Sequence, residues 1–299
     1  MALSGKLFTI SAGDHEATIA EVGAGLRRFT FRGSDVTVPV GTDVLPPKCC
    51  GAVLVPWPNR IRHGKYQFAG QEQQLAITEP ELNNAIHGLA RWARWTPTVE
   101  QAARVTLVCD VVPQPGYPFE VAVELTYTLD ADFGLSVSCS AHNHGSGPAP
   151  FGAGFHPYLS THGATLDDTT VRLPAQQRLL LDDGSVPIGV QSVDGTQYDF
   201  RAGKRLKTLR LDEGYTALDL SQGRGAVEVH SAGGGARLWF DETFRYLQVF
   251  TYADLAGAGP GIAVEPMTCA ADAFNSTHGL IVLDPGGTWS GSWGITALQ

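Results

Sequence analysis

Residues 120–127 read Glu-Val-Ala-Val-Glu-Leu-Thr-Tyr, and every second side chain from Val121 onward is apolar. Residues 135–140 read Leu-Ser-Val-Ser-Cys-Ser and alternate in the same way. This period of two is typical of strands with one buried and one exposed face. Residues 129–134, Leu-Asp-Ala-Asp-Phe-Gly, lie between the two segments and carry turn-forming side chains. The sequence here predicts two antiparallel strands joined by a hairpin loop.

The same pattern extends in both directions along the chain. Strands are predicted at residues 104–111, 226–230, 236–240 and 246–251, whereas no amphipathic helix of about 12 residues or more is predicted. Strands without intervening helices favour antiparallel sheets, and therefore a sandwich or barrel. We expect an all-β protein, a large antiparallel β-sandwich, with residues 1–299 forming a single domain.

Composition excludes several classes of function. The chain has 299 residues, 43% hydrophobic and 17% charged, and its formal net charge is −9. Such a chain buries a large core and repels nucleic acid and anionic membranes. No apolar run approaches the ~20 residues that span a bilayer. The five cysteines, an odd number, and the absence of a recognisable secretory signal predict free thiols and a cytoplasmic protein.

Motifs for nucleotide cofactors and for serine hydrolases are incomplete or missing, so no cofactor is predicted. His142 and His144 share a spacing that suits either a metal site or a loop before a turn, but no third ligand is evident and no metal is predicted. The remaining candidates are polar residues in rigid surroundings. His87 and His156 are flanked by glycine or proline, and Glu265 follows an apolar run and precedes Pro266.

A carboxylate in such a position either forms a buried ion pair with an arginine or has a raised pKa suited to proton transfer. Asn59 and Arg60 follow Val-Pro-Trp-Pro, so their planar donors stand on a stiff segment. Arg60 is either a binding residue or a strand-terminal arginine. The set of residue types favours proton transfer on a small polar molecule.

Several segments, in order along residues 50–275, together resemble the aldose 1-epimerase (mutarotase) family, galactose mutarotase-like. They are residues 56–61 (Pro-Trp-Pro-Asn-Arg-Ile) with 64–66 (Gly-Lys-Tyr), 84–88 (Asn-Ala-Ile-His-Gly), 154–158 (Gly-Phe-His-Pro-Tyr), 211–215 (Leu-Asp-Glu-Gly-Tyr), 247–251 (Leu-Gln-Val-Phe-Thr) and 264–268 (Val-Glu-Pro-Met-Thr). The resemblance implies a galactose mutarotase-like supersandwich with a sugar cleft on one sheet.

It also implies a role for each matching residue. Glu265 matches the general base that deprotonates the anomeric hydroxyl, His156 the general acid at the ring oxygen, and His87 a second catalytic histidine. The positions expected to hold the sugar are Asn59, Arg60, Asp212, Gln248 and Tyr158. The short motif leaves open whether Asp212 or Glu213 faces the cleft. Proton transfer in this direction requires an ionised Glu265 and a protonated His156 near neutral pH.

The expected function is therefore interconversion of the α and β anomers of a hexose, with a sugar as the small-molecule partner. An anionic hexose, carrying a 6-phosphate or 6-sulfonate, is the alternative substrate. Arg62, His63 and Lys65 would meet such an anion, or else form a basic turn. Two further alternatives are a non-catalytic sugar-binding protein and a glycoside hydrolase, which would need a second carboxylate. Whether the protein is a monomer or a homodimer stays open.

Overall fold

The protein is almost entirely built of strands. The structure, a computed structural model, describes residues 3–255 and 257–298. The strands are β1 (Leu7–Ala12), β2 (His15–Ala20), β3 (Leu26–Phe31), β4 (Ser34–Asp35), β5 (Val53–Leu54), β6 (Arg60–Arg62), β7 (Lys65–Phe68), β8 (Gln71–Gln74), β9 (Asn84–Ile86), β10 (Thr96–Gln101), β11 (Arg104–Val111), β12 (Val121–Asp130), β13 (Gly134–Asn143), β14 (Ala149–Phe151), β15 (Gly154–Phe155), β16 (Tyr158–Ser160), β17 (Thr170–Arg172), β18 (Ala175–Leu181), β19 (Pro187–Ser192), β20 (Lys204–Arg205), β21 (Asp212–Leu218), β22 (Arg224–Ser231), β23 (Gly234–Asp241), β24 (Tyr246–Tyr252), β25 (Gly261–Met267), β26 (Ile281–Leu283) and β27 (Thr288–Leu298). One short helix, α1 (Ala273–Ser276), and two 3₁₀ turns, Pro47–Cys49 and Leu166–Asp168, complete the described elements.

The larger of the two main sheets has nine strands in the order β10-β11-β12-β13-β27-β23-β22-β17-β20. The hairpin predicted from residues 120–140 is β12 and β13, paired antiparallel with Leu125 opposite Cys139. All six predicted strands are present; β11 has the predicted bounds, and the other five differ at their ends by one to three residues. Strand β27, although late in the chain, lies between β13 and β23.

The second main sheet has eight strands and carries Asp212, Gln248 and Glu265, whereas Arg60 lies on the separate pair of β6 and β9. Its order is β19-β18-β21-β24-β25-β15-β5, and β16 also pairs with β25. Strands β1 to β4 form a smaller antiparallel sheet, and three two-stranded pairs complete the set. Every described strand pair is antiparallel, as the sequence predicted.

One hydrophobic cluster joins the sheets and runs from Phe8 to Ile295. It includes fully buried side chains of the nine-stranded sheet, such as Leu125 and Leu238, and of the eight-stranded sheet, such as Val249. Each buried aliphatic side chain stabilises the fold by about 1.5–3 kcal/mol. The all-β prediction is confirmed, with about 52% of the chain in strands and 3% in helices. That residues 1–299 form one domain stays a prediction.

The five cysteines are free, as expected. In the described ranges, no helix has both the length and the apolar character to cross a membrane.

Candidate active site

A cleft of about 290 Å³ opens beside strands β21, β24 and β25 of the eight-stranded sheet. Seven of the eight predicted site residues line it: Asn59, Arg60, His87, His156, Asp212, Gln248 and Glu265. They come from distant parts of the sequence. Strand pairing places Gln248 on β24 directly opposite Glu265 on β25, and β21 with Asp212 lies on the other side of β24. The volume suits a small molecule, at the lower end of the range of ligand pockets.

Glu265 and His156 form the buried centre of the cleft. The two side chains are 3% and 7% exposed, and Glu265 Oε1 lies 3.3 Å from His156 Nε2. The strand register explains the contact. Gly154 on β15 pairs with Met267, and Tyr158 on β16 pairs with Ala263, so the intervening His156 lies beside Glu265. Hydrogen bonds from His156 N to Ala52 O (3.0 Å) and from Gly51 N to His156 O (2.9 Å) fix its backbone.

The ionisation of this pair differs from the expectation. Burial raises the pKa of Glu265 well above its usual range, and the nearby charge of Asp212 adds to the rise. Burial also lowers the pKa of His156 to about 3. Because a low-dielectric interior penalises charge, the neutral arrangement is favoured, with the proton on Glu265 and a neutral imidazole. The directions of these two pKa shifts therefore run against the expectation of an ionised Glu265 beside a protonated His156.

His87 stands across the cleft from His156, with ring centroids 5.6 Å apart. Its Nδ1 accepts a hydrogen bond from Asn59 N–H at 3.2 Å, which leaves the proton of the neutral ring on Nε2. Burial, followed by the charge of His156, lowers the pKa of His87 well below its usual value. The neutral His87 therefore presents an N–H donor to a ligand.

Arg60 is held at the cleft wall by a carboxylate that the sequence analysis did not select. Its Nε and Nη2 each donate to Glu79 at 2.8 Å, and both side chains are largely buried. Glu79 and Thr78 also line the cleft. Glu265 does not form the alternative ion pair with an arginine; its ionic contact in the described part of the chain is His156.

Asp212, not Glu213, faces the cleft. Gln248 Nε2 donates to Asp212 Oδ1 at 2.7 Å, and both side chains line the cavity. Glu213 points to the opposite face of β21 and binds Arg178 at 2.8 Å. Neighbouring residues of a strand point to opposite faces, so only one of the two can contact a ligand.

Tyr158 does not line the cleft, contrary to its prediction as a sugar-binding residue. Its ring is fully buried and stacks on His156, with centroids 5.2 Å apart. Its hydroxyl donates to the carbonyl oxygen of Lys48 at 3.1 Å. Tyr158 therefore supports His156 and the segment of Lys48 from behind.

Two cations of the cleft were missed. Lys48 and Arg91 line it, and neither has a carboxylate within 4.0 Å among the described residues. Both come from segments between strands, which lack the alternation of apolar and polar residues that identifies a strand and its buried face. Arg62, His63 and Lys65 instead form the basic turn between β6 and β7 and lie outside the cleft, and Arg62 binds Asp182.

No group of three or more potential ligand side chains suited to a metal is found in residues 3–255 and 257–298. The rings of His142 and His144 lie 4.4 Å apart, on β13 and just beyond it.

Comparisons with known proteins agree with the fold and with the motifs. The family model for aldose 1-epimerase matches residues 6–296. An Escherichia coli protein described as "Uncharacterized protein YihR" is 37% identical over 96% of this chain and 91% of its own length. Human galactose mutarotase is 29% identical over 71% of this chain, a match that spans 64% of the human protein.

Solved structures show the same architecture. A galactose mutarotase-like protein from Clostridium acetobutylicum superposes with a TM-score of 0.83 and 20% identity, covering 97% of this chain and 94% of that one. A GalM/aldose epimerase homologue from Caenorhabditis elegans gives a TM-score of 0.84 and 19% identity, over 98% and 99% of the two chains. The match of the family model over nearly the whole sequence shows that this chain belongs to the aldose 1-epimerase family, a family of isomerases that act on carbohydrates.

Proposed function

We propose that the protein interconverts the α and β anomers of a hexose, with Glu265 as the base and His156 as the acid. The observation that carries this proposal is the 3.3 Å contact between these two buried groups at the centre of a polar cleft. A pair of titratable groups with oppositely shifted pKa values suits proton exchange with a substrate.

The proposed reaction moves two protons and leaves one proton on the Glu265–His156 pair before and after ring opening. Ring opening starts from the tautomer of the pair in which the proton has moved from Glu265 to His156. The Glu265 carboxylate then takes the proton of the anomeric hydroxyl, His156 protonates the ring oxygen, and the bond between C1 and that oxygen breaks. The pair then holds its proton on Glu265, which is the neutral arrangement that burial favours. C1 of the open aldehyde turns, and reversal of both transfers closes the ring on the other face.

The remaining residues are proposed to hold the sugar. His87 offers an N–H donor, and Arg60 and Asn59 offer further donors on a fixed segment. The bond from Gln248 to Asp212 orients that carboxylate toward the sugar hydroxyls. Positioning by several such bonds limits the motion of the rest of the sugar while C1 turns.

The substitution Glu265→Gln tests the acid–base proposal. The amide keeps the shape of the carboxyl group but cannot take a proton, so we expect mutarotation to slow by about 10²–10⁴-fold. The rate is measured by polarimetry on freshly dissolved α-D-glucose and by exchange NMR on galactose.

Glu213→Gln is the matched control, because this neighbour of Asp212 binds Arg178 outside the cleft. It should keep the wild-type rate. A Glu265→Gln variant as fast as wild type contradicts the mechanism. Sugar binding without acceleration by the wild type favours a binding protein, and release of the aglycone from an aryl glycoside favours a hydrolase.

A second candidate substrate is an anionic hexose with a 6-phosphate or 6-sulfonate. It is supported by Lys48 and Arg91, two cations that line the cleft without carboxylate partners in the described ranges. The Arg91 guanidinium donates a hydrogen bond to Cys49 Sγ, at 3.1 Å. A cation with so weak a partner is available to an anion.

If the substrate is anionic, Arg91→Met and Lys48→Gln should each raise KM for glucose 6-phosphate or a C6-sulfonated glucose by about 10–100-fold. The effect on glucose should be much smaller. Exchange NMR at equilibrium gives both rates. Arg62→Gln is the control, since Arg62 lies outside the cleft. Equal effects on neutral and anionic sugars would argue against the anionic substrate.

A further inference from the structure

A second, smaller cavity lies behind the catalytic cleft and shares a wall with it. Cys49 and Arg91 line both spaces. The cavity measures about 20 Å³, more than the ~10–15 Å³ that a single water needs on the same measure. It therefore admits one water-sized particle or a small ion.

The side chain of Arg27 lines this cavity and is unusual for a buried arginine. The residue is 4% exposed, and its Nε and Nη1 have no hydrogen-bond partner among the described residues. No carboxylate in the described ranges lies within 4.0 Å of its guanidinium, whereas the adjacent Arg28 binds Asp35. A buried charge that lacks a partner is costly, so such groups are normally paired or bind an ion.

Every charge that borders the cavity is positive. Its lining contains two guanidinium groups, those of Arg27 and Arg91, and no aspartate or glutamate. Burial raises the pKa of Cys50 to about 12 and also raises the pKa of Cys49. Both thiols are therefore uncharged at neutral pH and do not neutralise the arginines.

We propose that this cavity binds a small monovalent inorganic anion of about the size of chloride, between Arg27 and Arg91. The anion accepts hydrogen bonds from the Arg27 guanidinium and offsets one of the two positive charges that border the cavity. It thereby fixes Arg91 at the wall of the cleft. Arg27 does not line the cleft, so the site lies outside the acid–base centre, and Arg91 is the charged residue that the two spaces share.

Diffraction from wild-type crystals soaked in sodium bromide tests the proposal directly. We expect an anomalous bromide peak between the guanidinium groups of Arg27 and Arg91. Density that fits a water, with no anomalous signal at that point, overturns it. This measurement needs no variant and does not depend on the activity of the protein.

Thermal unfolding gives an independent test in solution. At equal ionic strength, the midpoint temperature of unfolding of the wild type should be about 2–4 °C higher in sodium chloride than in sodium gluconate. Arg27→Met should abolish this difference, whereas Arg28→Gln, which changes an exposed neighbour, should keep it. An equal response of wild type and Arg27→Met overturns the site. If Arg27→Met does not fold, the bromide position in the wild type decides.

Discussion

Glu265 and His156 show how burial, as well as residue type, influences which of the two groups holds their shared proton. Both groups are almost inaccessible, and their pKa values move in opposite directions for the same reason. The pair holds one proton whether it is written as two ions or as two neutral groups. Its titration therefore belongs to the pair, and not to an isolated imidazole.

The pH dependence of kcat/KM should show this. Because burial lowers the pKa of His156 to about 3, the pair does not gain a second proton at mildly acidic pH. The rate should be unchanged between about pH 4.5 and 6 and should decline on the alkaline side, where Glu265 loses the last proton. Exchange NMR, corrected for the uncatalysed rate, gives the profile. A decline as pH falls through 6.5, the usual value of imidazole, contradicts this assignment.

For single residues, the sequence predicted which side chains line the cleft better than it predicted the environment of each side chain. Seven of the eight predicted site residues line the cleft, because their motifs are local and distinctive. The ionisation of His156 and the choice between Asp212 and Glu213 needed the structure. Burial depends on strands distant in the sequence, and alternation alone does not say which face of β21 meets the cleft.

Short strands and tight turns place the catalytic groups. His87 itself has a positive φ of 63°, and Gly88 after it has φ 68°. A Cβ on Gly88 would lie 2.1 Å from the carbonyl oxygen of Val55. The backbone must approach this closely for the Nδ1 of His87 to reach Asn59 N.

Gly88→Ala should therefore destabilise the protein by about 3 kcal/mol or more and lower the activity of the folded fraction. Gly70→Ala is the matched control: its φ is 77°, but nothing lies within 4 Å of the added Cβ. Gly70→Ala should lower the free energy of unfolding by only about 1–2 kcal/mol, which is the cost of an alanine in the left-handed backbone region. Urea unfolding followed by fluorescence measures both. If Gly88→Ala and Gly70→Ala lose the same free energy of unfolding, the close backbone contact at Gly88 does not contribute to stability.

Segments between strands were the least predictable elements. Lys48 lies in the 3₁₀ turn Pro47–Cys49, and Arg91 lies between β9 and β10. Neither position stands in a periodic pattern, and they meet only because both segments fold against the same cleft. The long strands β11 to β13 were predictable for the opposite reason, since each carries its own alternation.

For the molecule as a whole, the net charge did not predict the sign of the charges around the cleft. The chain carries a formal charge of −9, yet unpaired cations of the described residues gather around the cleft and the cavity behind it. The local field in a concave site depends on the nearest charges, so a globally acidic protein can still attract an anion. Composition excluded nucleic acid as an expectation but did not decide between neutral and anionic sugars.

The position of β27 predicts how truncation affects the molecule. This strand pairs with β13 through Leu135–Ile295 and with β23 through Leu238–Ile295. Ending the chain at residue 287 removes no cleft residue but opens the nine-stranded sheet, so we expect no folded protein. Ending it after residue 297 removes only the end of the strand and should be tolerated. Circular dichroism and mutarotation assays compare the two, and an active protein ending at residue 287 would contradict the expectation.

The same strand has a consequence during synthesis. A nascent chain that has left the ribosome only as far as residue 287 has β13 and β23 complete but not joined. Each presents an open edge with unpaired backbone groups, which is a template for pairing with other chains. The sheet is sealed only when residues 288–298 pair, so any delay before that step prolongs the interval in which both edges are exposed.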